Sequence, residues 1–262
     1  MENLTIVKVG GNIIDDDSQL QQFLQLFATI PGKKILVHGG GKLATKMATQ
    51  LQIPQQLVDG RRITDAETLK IVTMVYAGYI NKNIIAKLQQ QQCNAVGLSG
   101  ADGNLIQAHQ RVHPTINYGY VGDVDGVNIS LIQQLLNNSY TLVIAPITHN
   151  LQGQLLNTNA DTIASVLATS LAAHYAVTLL YSFEKAGVLM DVNNEASVIN
   201  TISLQQFAQL KAQRIIADGM LPKLENAFAA LQKGVQRVII GQANVLPDLL
   251  QGKAGTTLVS GN

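Results

Sequence analysis

Lys8 interrupts the apolar run Leu4–Val9, and Gly10 and Gly11 follow directly. A cation at the end of a buried strand costs desolvation energy unless it faces a cleft or meets an anion. Glycines let the chain bend sharply and let a ligand approach its N–H groups. A second glycine loop, Gly39–Gly40–Gly41, follows the run Ile35–Val37, with a helix start expected near Lys42. Consecutive N–H groups at the positive end of a helix make an anion cradle. This second loop has neither the Walker A nor the dinucleotide spacing. Taken alone, the triple glycine also reads as a plain tight turn. Two such loops at strand ends could face one anion.

Three more segments carry candidate groups. In Asp59–Thr64, Arg61 and Arg62 precede a helix, and either a solvated pair or a two-pronged carboxylate clamp fits that place. In Leu155–Thr162, Asn157, Asn159 and Asp161 crowd the start of a helix, more capping residues than one helix end uses. Lys223 lies in the first turn of a helix opened by Pro222. The helix dipole disfavours a cation there unless an anion is close. Lys8 and Lys223 are thus both cations that make sense beside an anionic partner. His38, His109, His113, His149 and His174 show no metal-ligand spacing, and no nucleophile elbow is present.

Alternating elements must position these groups. Valine- and isoleucine-rich runs at Leu4–Val9, Lys34–Val37, Ala95–Leu98, Thr141–Ile147, Ala176–Tyr181 and Gln236–Ile240 read as central strands covered on both faces. Helices are expected at Gln19–Ile30, after a Thr64/Glu67 capping box, at Thr162–Ala173 and after Pro222. The long helix after Thr64 carries Leu69, Val72, Tyr76 and Tyr79 on one stripe, broadened by Val75 and Ile80. The pattern predicts an α/β fold with a mainly parallel sheet between helical layers. The segment Asn104–Gly122 reads as hairpins on an edge. Ligands of such sheets bind beyond the strands' carboxyl ends, where all the candidate loops fall.

Composition narrows the class. The chain has 262 residues, 47% hydrophobic and 13% charged, enough for one large domain or two closely packed lobes. A net charge of +1 favours neither nucleic acid nor an anionic membrane as partner. The lone Cys93 excludes an internal disulfide. No apolar run approaches the ~20 residues of a membrane span, and no secretory leader is read. The expected location is cytoplasmic.

KVGGN, VHGGGK, GRRIT, SGADGNLI, GYVGDVDGVN, LLNTNADTIA and ADGMLPKLENA occur in this order across almost the whole chain. Together they resemble the amino acid kinase family, and within it the branch that acts on N-acylated glutamate. The resemblance implies an αβα sandwich with residues 1–175 as an amino-acid-binding and dimerising lobe and residues 176–262 as the ATP lobe. It implies transfer of the ATP γ-phosphoryl group, with Mg2+ held mainly by phosphates and water, to the side-chain carboxylate of N-acetyl-L-glutamate, the second step of arginine synthesis. Lys8 and Lys223 would contact the phosphoryl group, with Asp161 holding both lysines. Gly10, Gly11, Gly40 and Gly41 would donate N–H groups, the last two also to the amino-acid substrate. Arg62 and Asn157 would hold that substrate.

N-succinyl-L-glutamate is an alternative acceptor, and its added charge would want a further cation such as Lys42 or Arg61. A non-catalytic amino-acid sensor, the other alternative, would be expected to lose Lys8, Asp161 or Lys223. One segment departs from the family. Where relatives have a Ser/Thr–Asp pair, this chain has the longer YSFEKAGVL, with Ser182 and Glu184 but no aspartate. Relatives inhibited by arginine carry an extra N-terminal helix that builds a hexameric ring. Three residues precede the first strand here, too few for a stable helix, so an arginine-insensitive homodimer is expected, with the long helix after Thr64 either at the interface or packed under the Asn104–Gly122 hairpins.

Overall fold

The computed structural model describes residues 1–261 except 59, 60, 192, 214 and 217–219, and gives the backbone alone at Pro222. Its strands are β1 (Asn3–Val9), β2 (Lys33–His38), β3 (Leu57–Val58), β4 (Arg61–Arg62), β5 (Ala95–Leu98), β6 (Ile106–Gln110), β7 (Gly122–Val127), β8 (Thr141–Ile144), β9 (Ile147–His149), β10 (Leu155–Asn157), β11 (Ala176–Phe183), β12 (Thr201–Ser203), β13 (Arg237–Gln242) and β14 (Thr256–Val259). Eight form the main sheet in the order β12-β14-β13-β11-β1-β2-β8-β5. Every pairing in it is parallel except β13 with β14. Four more, in the order β10-β9-β6-β7, form a second, mostly antiparallel sheet.

Period-two side-chain alternation splits the core into two layers. Leu4 and Ile6, Ile35 and Val37, Leu142 and Ile144 pack on one side, against the helices Ala160–Leu171 and Leu221–Gln232. Val7 and Val9, Leu36 and Val143 pack on the other, against Asp17–Ala28, Gly41–Gln50 and the helical stretch from Ala66 to Gln90. Leu20, Phe23, Leu24 and Phe27 are all buried, as their spacing predicts. The carboxyl ends of β1, β2, β8 and β11 share one edge, so the loops after them converge.

Several sequence expectations are corrected. Ala95–Leu98 is an edge strand, paired in the main sheet with β8 alone. The run Thr141–Ile147 is two strands, because the prolyl residue Pro146, which has no N–H to donate, lies where the chain leaves the main sheet for the second one. The hairpin segment belongs to that second sheet instead of fringing the first. The helix after Thr64 is capped by Asp65, whose side chain accepts from Thr68 N at 2.7 Å. Thr64 instead donates to Arg62 O at 3.0 Å and accepts from Asn157 Nδ2 at 3.0 Å.

That helix passes through a π-helical stretch, Thr73–Ile80. Its wider turn takes Tyr79 off the apolar stripe, leaving it 65% exposed, while Val75, Tyr76 and Ile80 are buried in the chain's own core. Cys93 is buried with its thiol 3.4 Å from Thr141 Oγ1. Asp59, Gly60, Ala217, Asp218 and Gly219, which belong to two of the motifs, lie outside the described residues.

Candidate active site

Two cavities open along the shared edge. The first, about 250 Å3, is lined by Lys8, Gly11, Gly39–Gly41, Arg62, Asn157 and Asp161. The second, about 760 Å3, is lined by Lys8, Gly10, Gly11, Ser182, Phe183, Glu184 and Lys223. Lys8 and Gly11 belong to both walls. Every site residue read from the sequence therefore lies in one cavity or the other.

Lys8 sits one residue before the end of β1, paired with Val37 and Tyr181 on the flanking strands. Its ammonium lies 2.8 Å from Asp161 Oδ1, with the lysine side chain 16% and the aspartate 40% exposed. Asp161 is held in turn at the start of Ala160–Leu171, where Asn159 caps the helix by accepting from the N–H groups of Asp161 and Thr162. Asn159 is thus the cap, which leaves Asn157 to face the first cavity.

Asp161, expected to hold both lysines, pairs directly with Lys8 and acts on Lys223 through its charge. Lys223, in the first turn of Leu221–Gln232, places its ammonium 3.9 Å from the centroid of the Phe183 ring. The residue as a whole is exposed, yet burial of its charged end lowers its pKa, and Lys8 adds to that. Asp161 and Glu184 act in the opposite direction.

Gly40 precedes the helix Gly41–Gln50 with φ +148°, and a Cβ there would meet Ile80 Cδ1 at 2.2 Å. Only glycine lets the loop press against the π-helical stretch. Arg62 is 8% exposed. Its Nη2 donates to Gly41 O and to Thr45 Oγ1, both at 2.9 Å, and its Nη1 donates to Gln55 Oε1. It therefore braces the glycine loop while bordering the cavity.

Beneath the loop, His38 is fully buried, with Nδ1 donating to Gly39 O at 2.9 Å and Nε2 accepting from Asn81 Nδ2 at 3.2 Å. The other Asn81 amide hydrogen goes to Val143 O at 3.0 Å. Burial pushes the imidazole pKa down to about 4. A histidine neutral when folded and protonated when unfolded loses stability as pH falls from its ordinary value of ~6.5 through the folded value. This group alone is expected to remove ~3 kcal/mol of stability over that window. Urea unfolding at pH 7, 5.5 and 4.5 would show the loss, and His38→Gln should flatten that slope. An equal slope in the variant would refute it.

Some lining residues carried no sequence signal. Tyr76 reaches the first cavity because of the π-helical turn, which the periodicity did not reveal. Arg111 reaches it from the hairpin, gripped by Asp123 with Nε 3.1 Å from both carboxylate oxygens. Arg61 lines the same cavity, whereas Lys42 turns away from it and donates to Asn12. Among the described residues, no three His, Cys, Asp or Glu gather as a metal cluster, and no helix is long and apolar enough to cross a membrane.

The amino acid kinase family model matches residues 3–242. A protein of Parabacteroides distasonis named acetylglutamate kinase is 52% identical over 253 residues, covering 97% of this chain and 98% of its own. One of the same name from Cytophaga hutchinsonii is 52% identical over 263 residues, covering 99% and 100%. Among solved structures, smu.665 from Streptococcus mutans UA159 superposes with a TM-score of 0.77 at 27% identity, covering 98% of each chain.

Proposed function

Since the chain belongs to the amino acid kinase family, we propose that it catalyses ATP-dependent phosphorylation of the side-chain carboxylate of N-acetyl-L-glutamate, the second step of arginine biosynthesis. Relatives named acetylglutamate kinase at 52% identity over nearly the whole chain support that substrate. The observation that carries the reading is the meeting of a small and a large cavity at Lys8 and Gly11. An acceptor in one and a phosphate donor in the other would react across that shared wall.

In this reading residues 1–175 hold the acceptor and residues 176–262 supply most of the ATP side. A carboxylate oxygen of the acceptor attacks the γ-phosphorus, the bond from that phosphorus to the β,γ-bridging oxygen breaks, and ADP leaves with the electron pair. The attacking carboxylate has no proton to lose, so no general base is needed, and Asp161 orients Lys8. Lys8 and Lys223 offset charge on the moving phosphoryl group, and the N–H groups of Gly10, Gly11, Gly40 and Gly41 bind its oxygens and those around it. Arg62 and Asn157 hold the acceptor's α-carboxylate and amide. Positioning and electrostatics of this kind carry phosphoryl transfer. Mg2+ would arrive on the nucleotide, held by phosphate oxygens and water, since the donor set at the junction is mostly cationic and amide. It would neutralise phosphate charge.

Arg61 favours a second reading, N-succinyl-L-glutamate as acceptor, because it brings a further cation beside Arg62 to the first cavity. Turnover of ATP with N-acetyl-L-glutamate, N-succinyl-L-glutamate, L-glutamate and L-aspartate, with the acyl phosphate trapped by hydroxylamine, tests both. N-acetyl-L-glutamate should give the highest kcat/KM. A larger value for the succinyl compound would establish the second reading, and no hydroxamate from any of the four would overturn both.

An ATP-using biosynthetic enzyme of this kind would work in the cytoplasm. A homodimer completes the proposal: Met74 and Tyr79 are 57% and 65% exposed on one helical stretch, and two-fold pairing is the commonest closed symmetry. Light scattering should give about twice the 28.1 kDa chain mass. A monomer at micromolar concentration would remove this part.

A further inference from the structure

Phe183 ends β11 opposite Gln242 of β13, in the segment that departs from the family pattern. Its ring lines the second cavity together with Lys223. The separation of 3.9 Å between the Lys223 ammonium and the ring centroid is far shorter than in the contacts of Lys33, Lys34 and Arg111 with aromatic rings, at 6.0, 5.6 and 5.6 Å. Cation–π attraction operates within about 6 Å, so the other three lie near its limit and this one well inside it.

Several influences oppose a cation at this place. The first turn of Leu221–Gln232 presents the positive end of a helix. Burial disfavours the charged form most, and Lys8 adds to that, against the opposing charges of Asp161 and Glu184. The neighbouring Glu184 directs its carboxylate to the side-chain amide of Asn12, and its backbone carbonyl accepts from Gln242 Nε2 at 2.8 Å. Among the described residues, the ring is thus the group in direct contact with the ammonium.

An aromatic face has properties a carboxylate would lack here. It attracts an ammonium without carrying a formal charge, so it neither repels incoming phosphates nor locks the lysine in an ion pair. The attraction is about 0.5–2 kcal/mol, enough to bias where a flexible lysine sits. An ammonium resting on the ring keeps its other N–H donors free.

We propose that Phe183 is a positioning residue for Lys223, its ring holding the ammonium in the nucleotide cavity with its remaining donors turned to the phosphoryl oxygens. This rests on the reading above that Lys223 acts on the phosphoryl group.

The test replaces Phe183 with mono-, di- and trifluorophenylalanine, which drain electron density from the ring face while nearly keeping its shape, and adds Phe183→Leu. In the full-length enzyme, kcat should fall stepwise with fluorination, reaching about tenfold for the trifluoro ring and for leucine, with KM for ATP within about twofold. A role in packing alone would not follow the ring's electron density. In a Lys223→Ala background, itself impaired, the residual rate should be flat across the series. A flat series in the wild-type background, with Lys223→Ala impaired, would overturn this inference and leave the reading of Lys223 standing. A fall that persists undiminished in Lys223→Ala would also overturn it, because the ring would then act on something else. Wild-type turnover in Lys223→Ala would remove the underlying reading and this inference with it.

Discussion

Lys8→Ala is expected to lower kcat by about 10²–10³-fold, and Lys223→Ala by a similar or smaller factor. The difference between them comes from what each lysine leaves behind. Lys8 is fixed on a central strand and paired with Asp161 at 2.8 Å. Removing it takes a preorganised donor from the junction of the two cavities and leaves a carboxylate unpaired where phosphate must sit. Lys223 is more exposed and rests on a neutral ring, so its loss breaks no direct ion pair among the described residues. Neither side chain is part of the hydrophobic core, and the fold should survive. Initial rates at saturating ATP and acceptor, beside thermal melting curves, check both statements. Turnover like the wild type in the Lys8 variant would remove the proposed mechanism.

Arg62→Lys should raise KM for N-acetyl-L-glutamate by about 10–100-fold while changing KM for ATP about twofold or less. Losing a hydrogen bond to a charged group costs about 1.5–3 kcal/mol, which is that range in affinity. Arg62 commits one terminal nitrogen to Gly41 O and Thr45 Oγ1 and one donor of the other to Gln55. A lysine, with one ammonium in place of the planar fork, cannot brace the loop and clamp the substrate at once. Initial-rate measurements varying each substrate separate the two KM values. An unchanged acceptor KM would move the carboxylate role to Arg61, which lines the same cavity.

Much of this arrangement was legible in the sequence because it depends on local rules. The apolar runs marked β1, β2, β11 and β13 to within a few residues, and the parallel-sheet rule placed their following loops on one edge. Lys8 and Lys223 stood out because each violates an electrostatic preference. What escaped detection depends on tertiary partners. Ala95–Leu98 looks as apolar as a central strand, and only the pairing shows it at an edge. Thr64 has the residue type and spacing of a cap, but Asp65 takes that role and Thr64 bonds Arg62 and Asn157 across the site. Tyr76 and Tyr79 share one stripe at helical period, and the π-helical turn buries the first while exposing the second. Arg111 and Phe183 have no local oddity. They matter because the hairpin and the end of β11 bring them to the cavities.

The central claim is that a phosphoryl group passes between the cavities at Lys8. A crystal structure with N-acetyl-L-glutamate, ADP, Mg2+ and a planar fluoroaluminate in place of the moving phosphoryl group tests it most directly. The account predicts the acceptor in the cavity bordered by Arg62 and Asn157, the adenine nucleotide in the one bordered by Phe183 and Glu184, and the aluminium between them. Lys8 Nζ, Lys223 Nζ and the N–H groups of Gly11 and Gly40 should lie within hydrogen-bonding distance of the fluorides. An aluminium centre bound away from Lys8, or both ligands in one cavity, would contradict it.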